Sequence, residues 1–318
     1  MTEDQRPFRV GIIGLGTVGA RFVEQFGDHP NFEVVAGWDL SETARAAFNS
    51  LIPVVDTADA VIAAADLVYI AVPPRAHAHY VKLAVEAKRA IFCEKPLGTD
   101  IAESEQIVEL VNASGLPAAV NFVHGSAPAS VEMGRRLSEH DDLESAHLEL
   151  HFPEWPRSWQ SAATWLGGSA EGGWTREVGS HYLFCARRML GELTVSMSHV
   201  RRTDVDTAED VVIAALDAGD VPLAFTGTSG SAGAEVNSFT VRTSSRSYRI
   251  VNWYRLEQTN DSGSWETVGL NDGPTPNLTA YRAQVDQLSA MLDGQNHTLP
   301  TFAEALDVQR VVERIAGV

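Results

Sequence analysis

The run Gly14-Leu15-Gly16-Thr17-Val18-Gly19 follows directly on the apolar segment Arg9–Ile13 and opens the first helical pattern. No other feature constrains the fold as tightly. Three glycines at this spacing permit a tight turn, close approach of backbone to a ligand, and close packing of a helix on the strand before it. Beyond them, short apolar runs at 33–38, 66–72, 90–92 and 117–122 alternate with helical patterns. Asp100 followed by Glu103, and Ser41 before Glu42, mark helix starts. Strands alternating with helices at this interval predict an N-terminal Rossmann-type, doubly wound parallel sheet over 1–122.

The texture changes after Phe122. A short helix is expected at 130–137, and then Ala146, Leu148, Leu150 and Phe152 alternate with His147, Glu149 and His151. Period two marks a half-buried strand. Similar segments at 194–200, 210–217, 222–228, 236–243, 247–253 and 265–268 predict a largely antiparallel open sheet. A long loop, 153–173, and a helical stretch, 175–190, interrupt them. Two helices, 277–292 and 301–316, close an α+β domain spanning 123–318, and these helices are expected to pack back on the first domain. The fold class is therefore α/β followed by α+β.

Composition removes several functions. The 318 residues carry 42 acidic against 24 basic side chains, a formal net charge of −18, which repels nucleic acid and anionic membrane. The opening residues Met1–Arg9 are polar and no window approaches eighteen uninterrupted apolar residues, so a cytoplasmic protein is expected. Cys93 and Cys185 are far apart and fit buried thiols better than a disulfide or a zinc site. His147, Glu149 and His151 share one strand face, yet such faces commonly meet solvent, substrate or a partner subunit, and no metal is expected there.

Asp39 lies twenty residues after Gly19, just past the second apolar run. A carboxylate there accepts both hydroxyls of an adenosine ribose and repels a 2′-phosphate, so NAD is favoured over NADP. With the helix N-terminus supplying amides, the cofactor-binding candidates are Gly14, Gly16, Thr17, Val18, Gly19 and Asp39. Ala71 and Val72 end the strand 66–72, Pro73 and His77 come after it, and Glu94 and Lys95 follow Ala90–Phe92. Carboxyl ends of parallel strands hold the ligand in such sheets. Lysine is rare here, at three residues against 21 arginines. By position alone Lys95 serves equally as a salt-bridge partner or as a proton carrier.

Together, the glycine loop, the Ala71-Val72-Pro73-Pro74 run with His77, and Glu94-Lys95-Pro96 resemble the Gfo/Idh/MocA oxidoreductases, a likeness that covers the whole chain. The resemblance implies that Lys95 touches both the substrate hydroxyl and the nicotinamide ribose. It also implies that Glu177 and His181, after Gly172-Gly173-Trp174, stand for a family acid and a proton-accepting histidine. Their i, i+4 spacing places both on one face of an α-helix. Glu177 replaces the family's Asp, and Phe184 stands where many members carry another acid. The segment 121–128 lacks the arginine usual in relatives, and His124 is its partial substitute, which favours a neutral polyol over a sugar phosphate. Trp155, Trp159, Trp165 and Trp174 crowd one stretch; Trp165 and Trp174 are candidate stacking faces for a sugar, and loop packing explains the cluster equally well.

These residues are expected to serve an NAD-dependent dehydrogenase acting on a secondary alcohol or ketone of a sugar or cyclitol. The alternatives are a sugar-nucleotide ketoreductase and an NAD-binding regulator without turnover. The expected partner is a small polyol or sugar, and the family implies a homo-oligomer, dimer or tetramer.

Overall fold

The computed structural model describes residues 6–161, 163–270 and 275–317. The chain divides into two compact units, one holding the residues up to Phe122 with Gln284–Leu306, the other Val123–Ala283 with the residues from Asp307 onward. The closing helices are thus divided between the two units.

In the first unit β1 (Phe8–Ile13), β2 (Phe32–Trp38), β3 (Leu67–Ile70), β4 (Ala90–Glu94) and β5 (Ala118–Asn121) form a wholly parallel sheet in the order β2-β1-β3-β4-β5. Helices α1 (Thr17–Gly27), α2 (Glu42–Phe48), α3 (Ala58–Ala64), α4 (His77–Glu86) and α5 (Ile101–Ser114) connect the strands. Side-chain oxygens cap three of them: Ser41 accepts from Ala44 N–H, Thr57 from Ala60 N–H and Asp100 from Glu103 N–H. The core is aromatic, with Phe22 of α1 lying 4.7 Å from the Tyr69 ring and 5.6 Å from that of Phe92. The order of the strands reverses direction at β1 and β3, so the crevice for a ligand opens beyond their carboxyl ends. Segment 284–306 is tied to this unit by His29 Nε2 against Asp286 Oδ1 at 3.0 Å and by Val120 N–H donating to Pro300 O.

The second unit is built on an eight-stranded sheet: β6 (Leu143–Phe152), β7 (Leu193–Arg201), β8 (Val211–Ala218), β9 (Val221–Ser229), β10 (Val236–Thr243), β11 (Ser247–Val251), β12 (Arg255–Thr259) and β13 (Trp265–Thr267). Their order is β13-β12-β11-β10-β6-β9-β8-β7. Only β6 and β9 pair in parallel among these neighbours. Ala146, Leu148, Leu150 and Phe152 turn inward as the alternation predicts. Helix α6 (Pro128–Leu137) precedes the sheet, and α7 (Ser180–Leu190) lies in sequence between β6 and β7.

Three elements differ from the reading of the sequence. β11 stops at Val251 because Asn252 and Trp253 take φ of 50° and 71°, a left-handed turn that ends the strand before 253. β12 was not foreseen, since Arg-Leu-Glu-Gln-Thr has no run of alternating apolar residues; charge pairs support it, Glu257 meeting Arg249 at 2.6 Å and Arg255 at 2.9 Å. The expected helix 175–190 begins as a π-helix over Thr175–Gly179. Helices α8 (Pro276–Leu292) and α9 (Phe302–Ala316) close the chain, and α9 starts with a reciprocal capping box in which Glu304 N–H donates to Thr301 Oγ1 and Thr301 N–H to Glu304 Oε2. Among the described residues no helix is long and apolar enough to cross a membrane, and both cysteines are free and buried.

Candidate active site

The glycine loop is specified residue by residue. Gly14 has φ of 100°, and a Cβ there would stand 2.3 Å from Ala71 O; a Cβ on Gly19 would stand 1.9 Å from Gly14 O. Both therefore exclude any side chain on grounds internal to the chain. Gly16 is different, since a Cβ there meets nothing within 4 Å. It is exposed at the N-cap of α1, followed by Thr17 and Val18, whose amides belong to the first helical turn and have no partner within the helix. The open side at Gly16 is where a pyrophosphate can approach the backbone.

Asp39 ends β2 beside this loop. Its Oδ2 accepts from Leu15 N–H and its Oδ1 from Ser41 N–H, each at 2.8 Å. The two amides fix the plane of the carboxylate, and each oxygen retains a lone pair for a ribose hydroxyl. Arg45, the nearest cation recorded there, is committed to backbone: its Nη1 donates to Asp39 O at 2.6 Å and to Leu40 O at 3.2 Å. The donor set therefore fits the adenosine end of a dinucleotide.

Ala71, Val72 and Pro73 leave β3 half-buried to exposed at the same edge. His77 sits beneath them. Its ring is wholly buried, with Nε2 2.8 Å from Val72 O and Nδ1 3.3 Å from Leu97 O. Burial pushes its pKa down, so the ring is neutral and donates through Nε2–H, the shorter contact. His77 braces the loop after β3 against the one after β4 instead of facing a cofactor, which corrects the expectation that it binds one.

Glu94 is likewise buried. Its Oε1 accepts from Tyr69 Oη–H and from Asn121 Nδ2–H, each at 2.5 Å. A polar bridge thus crosses β3, β4 and β5 one residue before Lys95, fixing the backbone from which that lysine projects. Lys95 is half-buried and joined to Pro96 by a cis peptide.

In the second unit, Glu177 and His181 are carried by the π-helix and the first turn of α7. Its start is held by Glu209, whose Oε1 accepts from Thr175 N–H at 2.5 Å and whose carbonyl accepts from Trp174 Nε1–H at 2.6 Å. Gly173 permits this with φ of 95°, because a Cβ would stand 2.3 Å from Glu209 Oε2. Arg176 locks the same corner with a two-pronged pair to Glu313 at 2.6 and 2.7 Å and with bonds to the carbonyls of Ser169 and Gly172. A π turn within a helix is rare and concentrates at functional sites. It also widens the turn, so the simple α-helical face expected for Glu177 and His181 does not apply.

His181 is buried among rings. Trp253 lies 5.4 Å away and His124 5.9 Å, both edge-on. His124 is stacked parallel to Trp253 at 5.9 Å and touches Tyr182 at 5.0 Å and Tyr254 at 6.0 Å. The turn after β11 delivers Trp253, with its N–H donating to Asn237 Oδ1, the same oxygen that accepts from Tyr182 Oη–H. Burial drives the His124 pKa down to about 3. Phe184 is buried under the Arg188 guanidinium at 4.7 Å, a packing role.

The tryptophan cluster separates into different jobs. Trp174 is fully buried against Phe152 and Phe225, and its rim fills the space a Cβ on Gly227 would need. It is core, which corrects the expectation of a sugar-stacking face. Trp165 is half-buried in a 3-10 turn, Trp155 bonds Leu166 O, and Trp159 is largely exposed.

Between Trp155 and Trp159 stands Arg157, which the sequence reading passed over. Its guanidinium lies over Phe152, Trp155 and Trp159 at 5.6, 5.5 and 4.8 Å. It donates to Gln160 Oε1 at 2.9 Å and reaches Glu235 at 3.4 Å, while Gln160 Nε2 donates to Glu177 Oε1 at 3.3 Å. Gln160 therefore links an arginine to the Glu177 carboxylate. The available signal was that Arg157 is the only basic residue from 153 to 174. On the sheet face, His147 and His151 bond Thr226 and Thr228 across to β9.

A parallel sheet with a three-glycine cradle and an oriented aspartate at its switch point defines a dinucleotide-binding oxidoreductase fold. Residues 8–122 match the oxidoreductase family with an NAD-binding Rossmann fold, Gfo/Idh/MocA. It is 29% identical over 212 residues to a dTDP-3,4-didehydro-2,6-dideoxy-alpha-D-glucose 3-reductase of Streptomyces violaceoruber, 64% of this chain and 61% of that one. It is 26% identical over 205 residues to an inositol 2-dehydrogenase of Rhizobium meliloti, 63% and 60% of the respective lengths. The chain thus matches about three-fifths of each of these relatives. The 3-ketoreductase KijD10 of Actinomadura kijaniata, solved with NADP and TDP-benzene, superimposes with a TM-score of 0.81 at 19% identity, covering 98% of this chain and 97% of its own.

Proposed function

We propose that the chain is an NAD-dependent dehydrogenase that oxidises a secondary alcohol of a sugar or cyclitol. The observation that carries this reading is the glycine loop left open only at Gly16, beside an Asp39 carboxylate whose orientation is set by two backbone amides. Gly14, Gly16, Thr17, Val18 and Gly19 would cradle the pyrophosphate, Asp39 the ribose, and the backbone of Ala71, Val72 and Pro73 the approach to the nicotinamide. When bound, the nicotinamide supplies the hydride acceptor. A 2′-phosphate would meet the Asp39 charge, which favours NAD.

Two residues then act on the reacting hydroxyl. Lys95 hydrogen-bonds its oxygen, and His181 accepts its proton as negative charge develops there. Glu177, steadied by Gln160 and through it by Arg157, keeps a carboxylate on the element that carries His181. The two buried thiols agree with a reducing compartment, and we place the protein in the cytoplasm.

The test is formation of NADH over a panel of inositols and hexoses, run beside a sugar nucleotide with NADPH in the reductive direction. Oxidation of a neutral polyol with NAD supports the reading, whereas reduction of a sugar nucleotide alone replaces it with the ketoreductase. Binding of NAD without turnover of any of these leaves only the regulatory role.

A further inference from the structure

The bonding pattern that leads into α7 slips by one residue. Glu177 N–H donates four residues back, to Gly173 O, as in an α-helix. Ser180 N–H donates five residues back, to Thr175 O. Arg176 O, the α-helical acceptor for that amide, takes the Ser180 hydroxyl at 2.6 Å instead. One extra residue is thus held in the turn, and each residue of a helix turns the chain by about 100°. Ser180 and the residues after it, His181 included, are offset by one position from the residues before the slip.

A π turn is rare, so this one needs a cause outside its own five residues. Arg176 stands at the slip, and its side chain and that of Glu313 on α9 are each only 6% exposed. Nε and Nη2 donate to the two Glu313 oxygens at 2.7 and 2.6 Å, while Nη1 donates to Ser169 O and Gly172 O. All of these residues belong to the second unit. Burying an ion pair costs about what its attraction returns, and a well-packed apolar pair often stabilises a fold as well or better. An apolar pair does not fix rotation, whereas a planar fork on a planar carboxylate admits one alignment. Glu209 holds the residue before the slip through Thr175 N–H, and Glu313 holds the residue at it.

We propose that Arg176 and Glu313 are positioning residues: their pair holds the extra residue in the turn, and the extra residue sets the direction in which His181 points. This rests on the dehydrogenase reading for the role of His181 and deepens it by naming what aims the base. Released from Glu313, the turn tightens to the α-helical pattern, and Ser180 N–H moves from Thr175 O to the carbonyl of residue 176. His181 then leaves its edge-on contacts with Trp253 at 5.4 Å and His124 at 5.9 Å. A misplacement of about 1 Å at a reacting group costs about a hundredfold in rate.

Three variants test it. R176M/E313L replaces the pair with apolar side chains, because R176M alone strands a buried carboxylate. E313Q keeps one acceptor oxygen for the fork. R187M is the control, since Arg187 pairs with Asp307 and so also ties α7 to α9, away from the slip. Crystals of R176M/E313L read the register without any substrate: the expected result is a melting temperature close to that of wild type, Ser180 N–H on the carbonyl of residue 176, and a His181 ring displaced from Trp253. A retained bond to Thr175 O, or an undisplaced ring, overturns the proposal. In NADH formation from myo-inositol the double variant should lose about thirtyfold in kcat, with KM and NAD affinity within about twofold of wild type. E313Q should lose about threefold in kcat and R187M nothing. Equal kcat in E313Q and R187M overturns the proposal even where the double variant folds poorly, and so does a loss confined to KM. Absence of NADH from wild type with every inositol and hexose defeats the dehydrogenase reading, and the crystal readout then decides this inference by itself.

Discussion

The candidate residues of the first unit offer mainly backbone groups, whereas those of the second offer side chains. At the sheet edge the candidate parts are the open face of Gly16, the amides of the first turn of α1, and an Asp39 held by two more amides. In the second unit the candidate parts are a ring cluster around His124 and His181, a carboxylate held through Gln160, and a π-helix pinned by Glu209 and Arg176. A backbone site binds what all dinucleotides share. A side-chain site can be respecified one residue at a time, which is how one fold serves many alcohols.

The sharpest way to break this division is at Lys95, the point where a side chain stands on the backbone-built edge. K95A should lower kcat by about a thousandfold while leaving NAD affinity within about twofold, read by NADH formation and by calorimetric titration. Undiminished turnover would remove Lys95 from the chemistry.

Next come the glycines, which separate two reasons for having no side chain. G19A should destabilise the fold by about 2–4 kcal/mol, because its Cβ meets backbone at 1.9 Å and neither atom can move away cheaply. G16A should fold with an unchanged melting temperature and lose NAD affinity instead, since the space it fills lies outside the protein. Equal melting losses in the two variants would refute the division of roles.

Acid sharpens the comparison from the other side. His124 titrates near 3 in the folded chain against 6.5 when free. Above about pH 6.5 both states are neutral and the group contributes nothing. Below it the unfolded chain binds a proton that the folded one refuses, so stability falls as pH drops toward 3. The loss at this group approaches about 4–5 kcal/mol by pH 3, and His77, also depressed by burial, acts in the same direction. H124F should therefore flatten the fall in unfolding free energy between about pH 6.5 and about pH 4. A wild-type slope retained in that variant would show that His124 is accessible to protons.

The smallest effect is expected at Gln160. Q160L should lower kcat about three- to tenfold, with NAD affinity unchanged, because Glu177 loses the amide that steadies it while His181 remains in place.

The contrast also explains what the sequence could reveal. The glycine loop, Asp39, the alternation of β6 and the caps at Ser41 and Asp100 are written in local spacing, and local spacing sets their geometry. The π turn is not, because nothing in Thr175–Gly179 distinguishes it from an α-helical turn; Glu209 and Glu313, distant in sequence, impose it. Trp174 and Trp165 are alike as residues and differ only in depth. Arg157 becomes significant only once Gln160 folds between it and Glu177. The left-handed turn that sets Trp253 against His124 was hidden inside an expected strand for the same reason.

The central claim is that this chain oxidises a neutral polyol using NAD, with His181 taking the proton. Its most direct test is the pH profile of NADH formation with a turned-over polyol, measured for wild type and H181A beside NAD titrations of both. We predict a profile governed by one ionisation in wild type, a loss of about a thousandfold and of that ionisation in H181A, and equal NAD affinity in the two proteins. An H181A enzyme that keeps both the rate and the profile would contradict the account.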